Sequence, residues 1–123
     1  MHKILVVDDS WLARRAVLKI LNSSGYECQE VSSGKAALEI LDKESFECVL
    51  LDLLMEDMSG FDVLESLNHK DISVPVIVVS ADIQETSKKR CYDLGAFGFL
   101  NKPANETDLL DKVKDAIDTA LEK

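Results

Sequence analysis

The chain has 123 residues, 46% of them hydrophobic, which suits one domain around one core and is too short for two ordinary domains. A formal charge of −9, from 23 acidic against 14 basic side chains, opposes direct binding to nucleic acid or to an anionic membrane surface and favours a protein partner. No run approaches the roughly 20 apolar residues needed to span a bilayer. The apolar start Ile4 to Val7 stops at two aspartates, so no signal peptide is expected and the expected location is cytoplasmic.

In chain order, short apolar runs alternate with longer amphipathic stretches five times. Lys3 to Val7 reads as a strand, followed by Asp8 and Asp9, by Ser10 as a helix N-cap, and by Ala13, Ala16, Val17, Ile20 and Leu21 at helical spacing. After Gly25 comes a strand over Glu27 to Val31, then Gly34 and a helix carrying Ala37, Leu38 and Leu41. Cys48 to Leu51 is the third strand; past Asp52 and Gly60, Leu64 and Leu67 mark the third helix. Val76 to Val79 is the fourth strand, and Asp82 is a candidate cap for a helix patterned by Ile83, Ser87, Cys91 and Leu94. Gly95 precedes a last strand over Phe97 to Leu100. Asn105 then caps a helix built on Leu109, Val113, Ala116, Ile117 and Ala120.

This alternation predicts βα units and a mainly parallel sheet, and the continuous Val, Ile and Leu runs suit strands covered on both faces. Cys28, Cys48 and Cys91 are odd in number and far apart, so they read as buried thiols and not as a disulfide framework or a zinc site. His2 and His69 have no partner at metal-ligand spacing and receive no role. Lys88, Lys89 and Arg90 form a basic run that reads either as a docking patch or as the solvated face of a helix.

In an open α/β sheet, ligands bind beyond the carboxyl ends of the strands. Those ends collect Asp8 and Asp9, Asp52, Ser80 and Lys102 on one edge. Taken singly, Asp8 and Asp9 read as turn formers, Ser80 as a turn residue and Lys102 as a surface charge. Taken together they supply a chemistry. Three carboxylates facing one pocket repel one another unless a cation relieves them, and Mg2+ accepts oxygen ligands from one or two carboxylates and a phosphate. A carboxylate can attack phosphorus when the charge on the transferring group is neutralised, which Mg2+ and Lys102 would do, and the Ser80 hydroxyl can donate to a phosphoryl oxygen.

The segments Lys3-Ile4-Leu5-Val6-Val7-Asp8-Asp9-Ser10, Leu51-Asp52-Leu53-Leu54-Met55, Gly60, Ser80-Ala81 and Lys102-Pro103 resemble the receiver domain of bacterial two-component response regulators, over the whole chain. The resemblance implies a flavodoxin-like (βα)5 three-layer sandwich with a five-stranded parallel sheet of order 2-1-3-4-5. It implies that Asp52 is the phosphoacceptor, and that Asp9 and Asp52 bind Mg2+ with help from Asp8 and the Leu54 backbone carbonyl. Ser80 and Lys102 would contact the phosphate. Phe99 stands at the family's aromatic switch position, where a plain core phenylalanine is the competing reading; Leu54 and Asp82 stand where receivers tune phosphoryl lifetime. Trp11 and Leu12, with Pro103, match the surface on which kinases and phosphotransfer domains dock, although Trp11 could equally fold back over the core.

Two departures carry consequences. Glu56 stands where receivers often have proline, which frees the loop and adds a negative charge near the pocket. Leu54 cannot orient an attacking water, which predicts slow self-hydrolysis.

With the chain ending at Lys123 the expectation is one receiver domain over residues 1–123 with no output domain, so that output is by binding. The expected role is chemotaxis-type, with a histidine kinase or histidine phosphotransfer protein as donor and a target protein or phosphatase downstream. The alternatives are a phosphorelay intermediate and an unphosphorylated structural adaptor. The expected oligomeric state is a monomer or a weak phosphorylation-dependent dimer. No enzymatic activity is expected beyond the domain's own phosphorylation and dephosphorylation. A haloacid dehalogenase-type enzyme would need a second aspartate at Leu54. A flavodoxin-like cofactor binder would need a phosphate loop that Asp8 and Asp9 do not provide, and no Walker-type loop is present.

Overall fold

The computed structural model of the protein describes residues 2–82 and 84–121. Ten elements alternate along it: β1 (Lys3–Val7), α1 (Trp11–Ser23), β2 (Glu27–Val31), α2 (Gly34–Lys43), β3 (Cys48–Leu51), α3 (Gly60–His69), β4 (Val76–Ser80), α4 (Glu85–Asp93), β5 (Gly98–Asn101) and α5 (Glu106–Leu121). All four strand pairings are parallel and the order is β2-β1-β3-β4-β5. This is the flavodoxin-like order expected from the resemblance.

Side-chain alternation along the strands divides the core in two. Leu5, Val7, Val49, Leu51 and Val78 face a layer of α2, α3 and α4 through Ala37, Leu41, Val63, Leu64 and Cys91. Ile4, Val6, Leu50, Ile77 and Val79 face α1 and α5 through Leu18, Leu21, Leu109, Val113 and Ile117. Each fully buried aliphatic side chain stabilises by about 1.5–3 kcal/mol, so the central strands need apolar residues at every position. The edge strand β2 instead carries Glu27, Gln29 and Glu30, charged and polar residues that discourage pairing with another chain.

Local signals place the helix starts. Ser10, Ser33 and Ser59 each accept a backbone N–H in the first turn of α1, α2 and α3, and Asp62 completes a capping box with Ser59. Asn105 Oδ1 accepts from Asp108 N at 2.8 Å, as expected of a cap for α5. Gly25 and Gly95 hold positive φ of 88° and 97° where α1 and α4 end.

Three boundaries differ from expectation. β4 runs on to Ser80, and β5 is shifted one residue to end at Asn101, because Ser80 pairs with Asn101 and the Lys102 N–H donates to Ser80 O at 2.8 Å. Asp82 is not the cap residue of α4. That position is Gln84, whose side chain makes no capping bond; Asp82 Oδ1 reaches forward to accept from Gln84 N at 3.0 Å. Ile83, counted in the α4 pattern, and Lys123 lie outside the described residues.

Candidate functional site

The carboxyl ends of β1, β3, β4 and β5 bring the candidate residues to one edge. Asp52 follows β3 directly, and its N–H donates to Val7 O at 3.0 Å, so the strand pairing continues into the site. Asp8 and Asp52 are each 6% exposed and Ser80 is fully buried. Asp9 is exposed. Asp8, Asp9 and Asp52 each present a carboxylate oxygen within 4.8 Å of the others.

Lys102 reaches this cluster from the loop after β5. Its Nζ lies 2.7 Å from Asp8 Oδ2 and 3.5 Å from Asp52 Oδ1. Ser10 N donates to the other Asp8 oxygen at 2.9 Å, and Glu56 N donates to Asp9 Oδ2 at 3.3 Å. The Glu56 contact with the site is thus made by its backbone. Gly60 closes the floor: its N–H donates to Leu53 O at 2.9 Å, and a Cβ there would come within 2.7 Å of Asp52 O. That approach admits only glycine.

A cavity of about 360 Å3 opens beside the carboxylates, lined by apolar side chains including Val6, Ala13, Val17, Leu50 and Val79. Burial here raises the Asp52 carboxyl above its ordinary value, and the Asp8 charge adds to the rise; Lys102 and the Leu54 N–H oppose it. Burial works to lower the Lys102 ammonium. Its hydrogen bond to Asp8 and the charges of Asp52 and Asp8 outweigh that effect and hold it above its ordinary value.

The remaining candidates lie around this centre. Ser80 Oγ accepts from Asp82 N at 3.1 Å. Both Asp82 carboxylate oxygens are occupied, one by Gln84 N and the other by Ser87 Oγ at 2.5 Å, and these bonds lower its pKa, Ser87 first. Phe99 is 7% exposed, and Lys88 Nζ stands 5.8 Å from its ring centroid. Trp11 and Leu12 do not fold over the core. They are 61% and 74% exposed, and the Arg15 guanidinium stacks 5.5 Å from the Trp11 ring. Leu54 is 64% exposed and Pro103 borders the apolar cavity.

The basic run on α4 resolves into contacts. Besides Lys88, Arg90 covers the Phe61 ring at 4.1 Å and Lys89 pairs with Asp93 at 3.1 Å.

Two residues near the site escaped sequence reasoning. Arg14 donates from Nη1 to Asp8 O at 2.7 Å and from Nε to Glu30 Oε1 at 2.8 Å. Arg14 lies within an exposed-looking basic pair and Glu30 on an edge strand; only the pairing of β1 with β2, which sets Val6 beside Glu30, brings them together.

Fold and site together define a doubly wound α/β domain whose strand ends carry an acidic, lysine-faced pocket suited to a divalent cation and a phosphoryl group. Residues 4–114 match the family model described as the response regulator receiver domain. The two-component response regulator ORR3 of Oryza sativa subsp. japonica is 38% identical over 111 residues, which is 86% of this chain and 83% of that protein. Among solved structures, a CheY-like receiver domain protein from Methanospirillum hungatei JF-1 superposes with a TM-score of 0.93 at 27% identity, covering 99% of this chain and 98% of that one. TrrA from Thermotoga maritima, solved in complex with Mg2+ and BeF, superposes with a TM-score of 0.85 at 28% identity, covering 94% and 99%. The chain belongs to the response regulator receiver domain family.

Asp8, Asp9 and Asp52 suit Mg2+ as a donor set, since all three offer hard oxygen atoms and two are buried. Among the described residues no helix is long and apolar enough to cross a membrane.

Proposed function

We propose that Asp52 accepts a phosphoryl group from the phosphohistidine of a histidine kinase or a histidine phosphotransfer protein, and that the phosphorylated form changes its protein partner. In this reading an Asp52 carboxylate oxygen bonds to phosphorus as the phosphorus–nitrogen bond of the donor breaks, and the proton that histidine takes up comes from solvent. Asp9 and Asp52 would hold Mg2+, with Asp8 and the Leu54 carbonyl in support. Bound Mg2+ would supply positive charge against the carboxylates and the phosphoryl oxygens. Lys102 moves from Asp8 toward a phosphoryl oxygen; Ser80 turns its hydroxyl from the Asp82 N–H to another.

The observation that carries this reading is the joint placement of three carboxylates and one ammonium at the ends of separate strands. Trp11 and Leu12, exposed beside the pocket, are the proposed docking surface for the donor, with Pro103 alongside. Phe99 and Ser80 are the proposed switch pair, Leu54 and Asp82 the lifetime positions. A chemotaxis-type role is favoured by the likeness to the chemotaxis protein CheY4 of Vibrio cholerae, and a cytoplasmic location belongs to the same reading.

The test is incubation with MgCl2 and acetyl phosphate, followed by intact-mass measurement, with beryllofluoride and Trp11 fluorescence as a parallel reading. Mg2+-dependent phosphorylation that disappears in Asp52→Asn is expected. Phosphorylation that persists in Asp52→Asn would move the acceptor to another residue and overturn the assignment; no phosphorylation of the wild type would overturn it in favour of a structural adaptor.

A further inference from the structure

Arg14 is the one charged side chain of α1 that turns back toward the acidic loop instead of outward, and its side chain is 12% exposed. Its two hydrogen bonds use different nitrogens and face different elements. Nη1 holds the Asp8 backbone carbonyl, and Nε holds Glu30 at the far end of β2. Glu30 is in turn fixed by a second ion pair with Arg15, and hydrogen bonds from Arg15 and Arg14 lower its pKa. Asp8 is thereby held at three atoms: Oδ1 by Ser10, Oδ2 by Lys102 and the carbonyl by Arg14.

We propose that Arg14, anchored by Glu30, is a positioning residue for the metal pocket, fixing the Asp8-Asp9 turn so that its carboxylates stand ready for Mg2+. This rests on the Mg2+ reading above. The guanidinium is suited to the task because its planar fork can satisfy two acceptors in fixed directions, which a lysine ammonium on a flexible stem cannot. Charge alone predicts the opposite effect. A cation close to three carboxylates competes with Mg2+ for them, so an Arg14 acting only through its field would weaken metal binding. Groups that orient metal-ligating residues typically contribute about tenfold or more to affinity, which sets the scale of the effect.

Calorimetric titration of the full chain with MgCl2 alone separates the two. Arg14→Lys retains the charge and loses the fork, and Arg14→Ala loses both; positioning predicts affinity about tenfold weaker in each. Circular dichroism and metal-free melting verify that both variants are folded, and Arg14→Lys carries the test if Arg14→Ala is not. In acetyl phosphate reactions the variants should need more Mg2+ for half-maximal rate and reach the wild-type rate at saturation. Wild-type affinity in Arg14→Lys, or tighter binding in Arg14→Ala, would overturn the inference while leaving the phosphoacceptor reading intact. A wild type that takes up no Mg2+ would overturn both.

Discussion

Asp52 and Leu54 stand two residues apart with opposite surroundings, one 6% exposed against apolar side chains and the other 64% exposed at the mouth of the site. Leu54 contributes its backbone to the site, where its N–H works to lower the Asp52 pKa, while its side chain can neither donate nor accept a hydrogen bond. Hydrolysis of an aspartyl-phosphate needs a water aligned with phosphorus, and nothing at Leu54 would hold one. An amide there would. Leu54→Asn is therefore expected to shorten the phosphoryl half-life roughly threefold to tenfold, well below what full general-base assistance supplies. The decay of radiolabelled phosphoprotein measures it, and an equal or longer half-life in the variant would contradict the water argument. Asp82 is engaged differently, because both of its carboxylate oxygens already accept bonds from Gln84 and Ser87 at the start of α4.

At the scale of elements, the junction of β3 with α3 is where backbone geometry controls the site. Gly60 is the first residue of α3, and a methyl group there would press on Asp52 O and on Leu53, the two residues that follow β3 directly. Gly60→Ala should displace the β3 end, lowering stability by about 1–3 kcal/mol and slowing phosphorylation of Asp52. Chemical denaturation and acetyl phosphate kinetics test this, and a variant with wild-type values in both would show that the loop yields freely. The elements themselves were legible because each central strand is a continuous apolar run and Gly25, Gly34, Gly60 and Gly95 mark boundaries. Legible too were the five residues at the strand ends, since the ligand rule for open α/β sheets locates them before any contact is known. Arg14 with Glu30 was not, because the pair joins residues 16 apart on α1 and β2 and has no local signature. The exposure of Trp11 was equally beyond reach, since helical periodicity assigns a face but not whether a neighbouring element covers the first turn.

For the molecule as a whole, the site sets function against stability. The folded protein holds the Asp52 carboxyl above its ordinary value, near 3.8, chiefly by burial and then by the charge of Asp8. A raised carboxyl binds its proton more tightly folded than unfolded, so its contribution to stability is fully present below the unfolded value. It is lost as pH rises through the folded one. Lys102 has the same sign at the other end of the scale: its raised pKa favours the folded state across the neutral range, and that support is lost only as pH climbs past 10.5 through the folded value. Near neutral pH the ionised Asp52 is therefore a cost. Asp52→Asn removes it while Lys102 keeps its nearer partner, Asp8 at 2.7 Å. Metal-free Asp52→Asn is expected to melt about 3 °C or more above the wild type near pH 7, with the difference shrinking as acid protonates Asp52 in the wild type. MgCl2 should narrow the gap from the other side, since a ligand bound only by the folded wild type raises its melting temperature by mass action. Scanning calorimetry across pH, with and without MgCl2, measures all three, and equal metal-free melting temperatures near neutral pH would show that Lys102 already offsets the burial of Asp52.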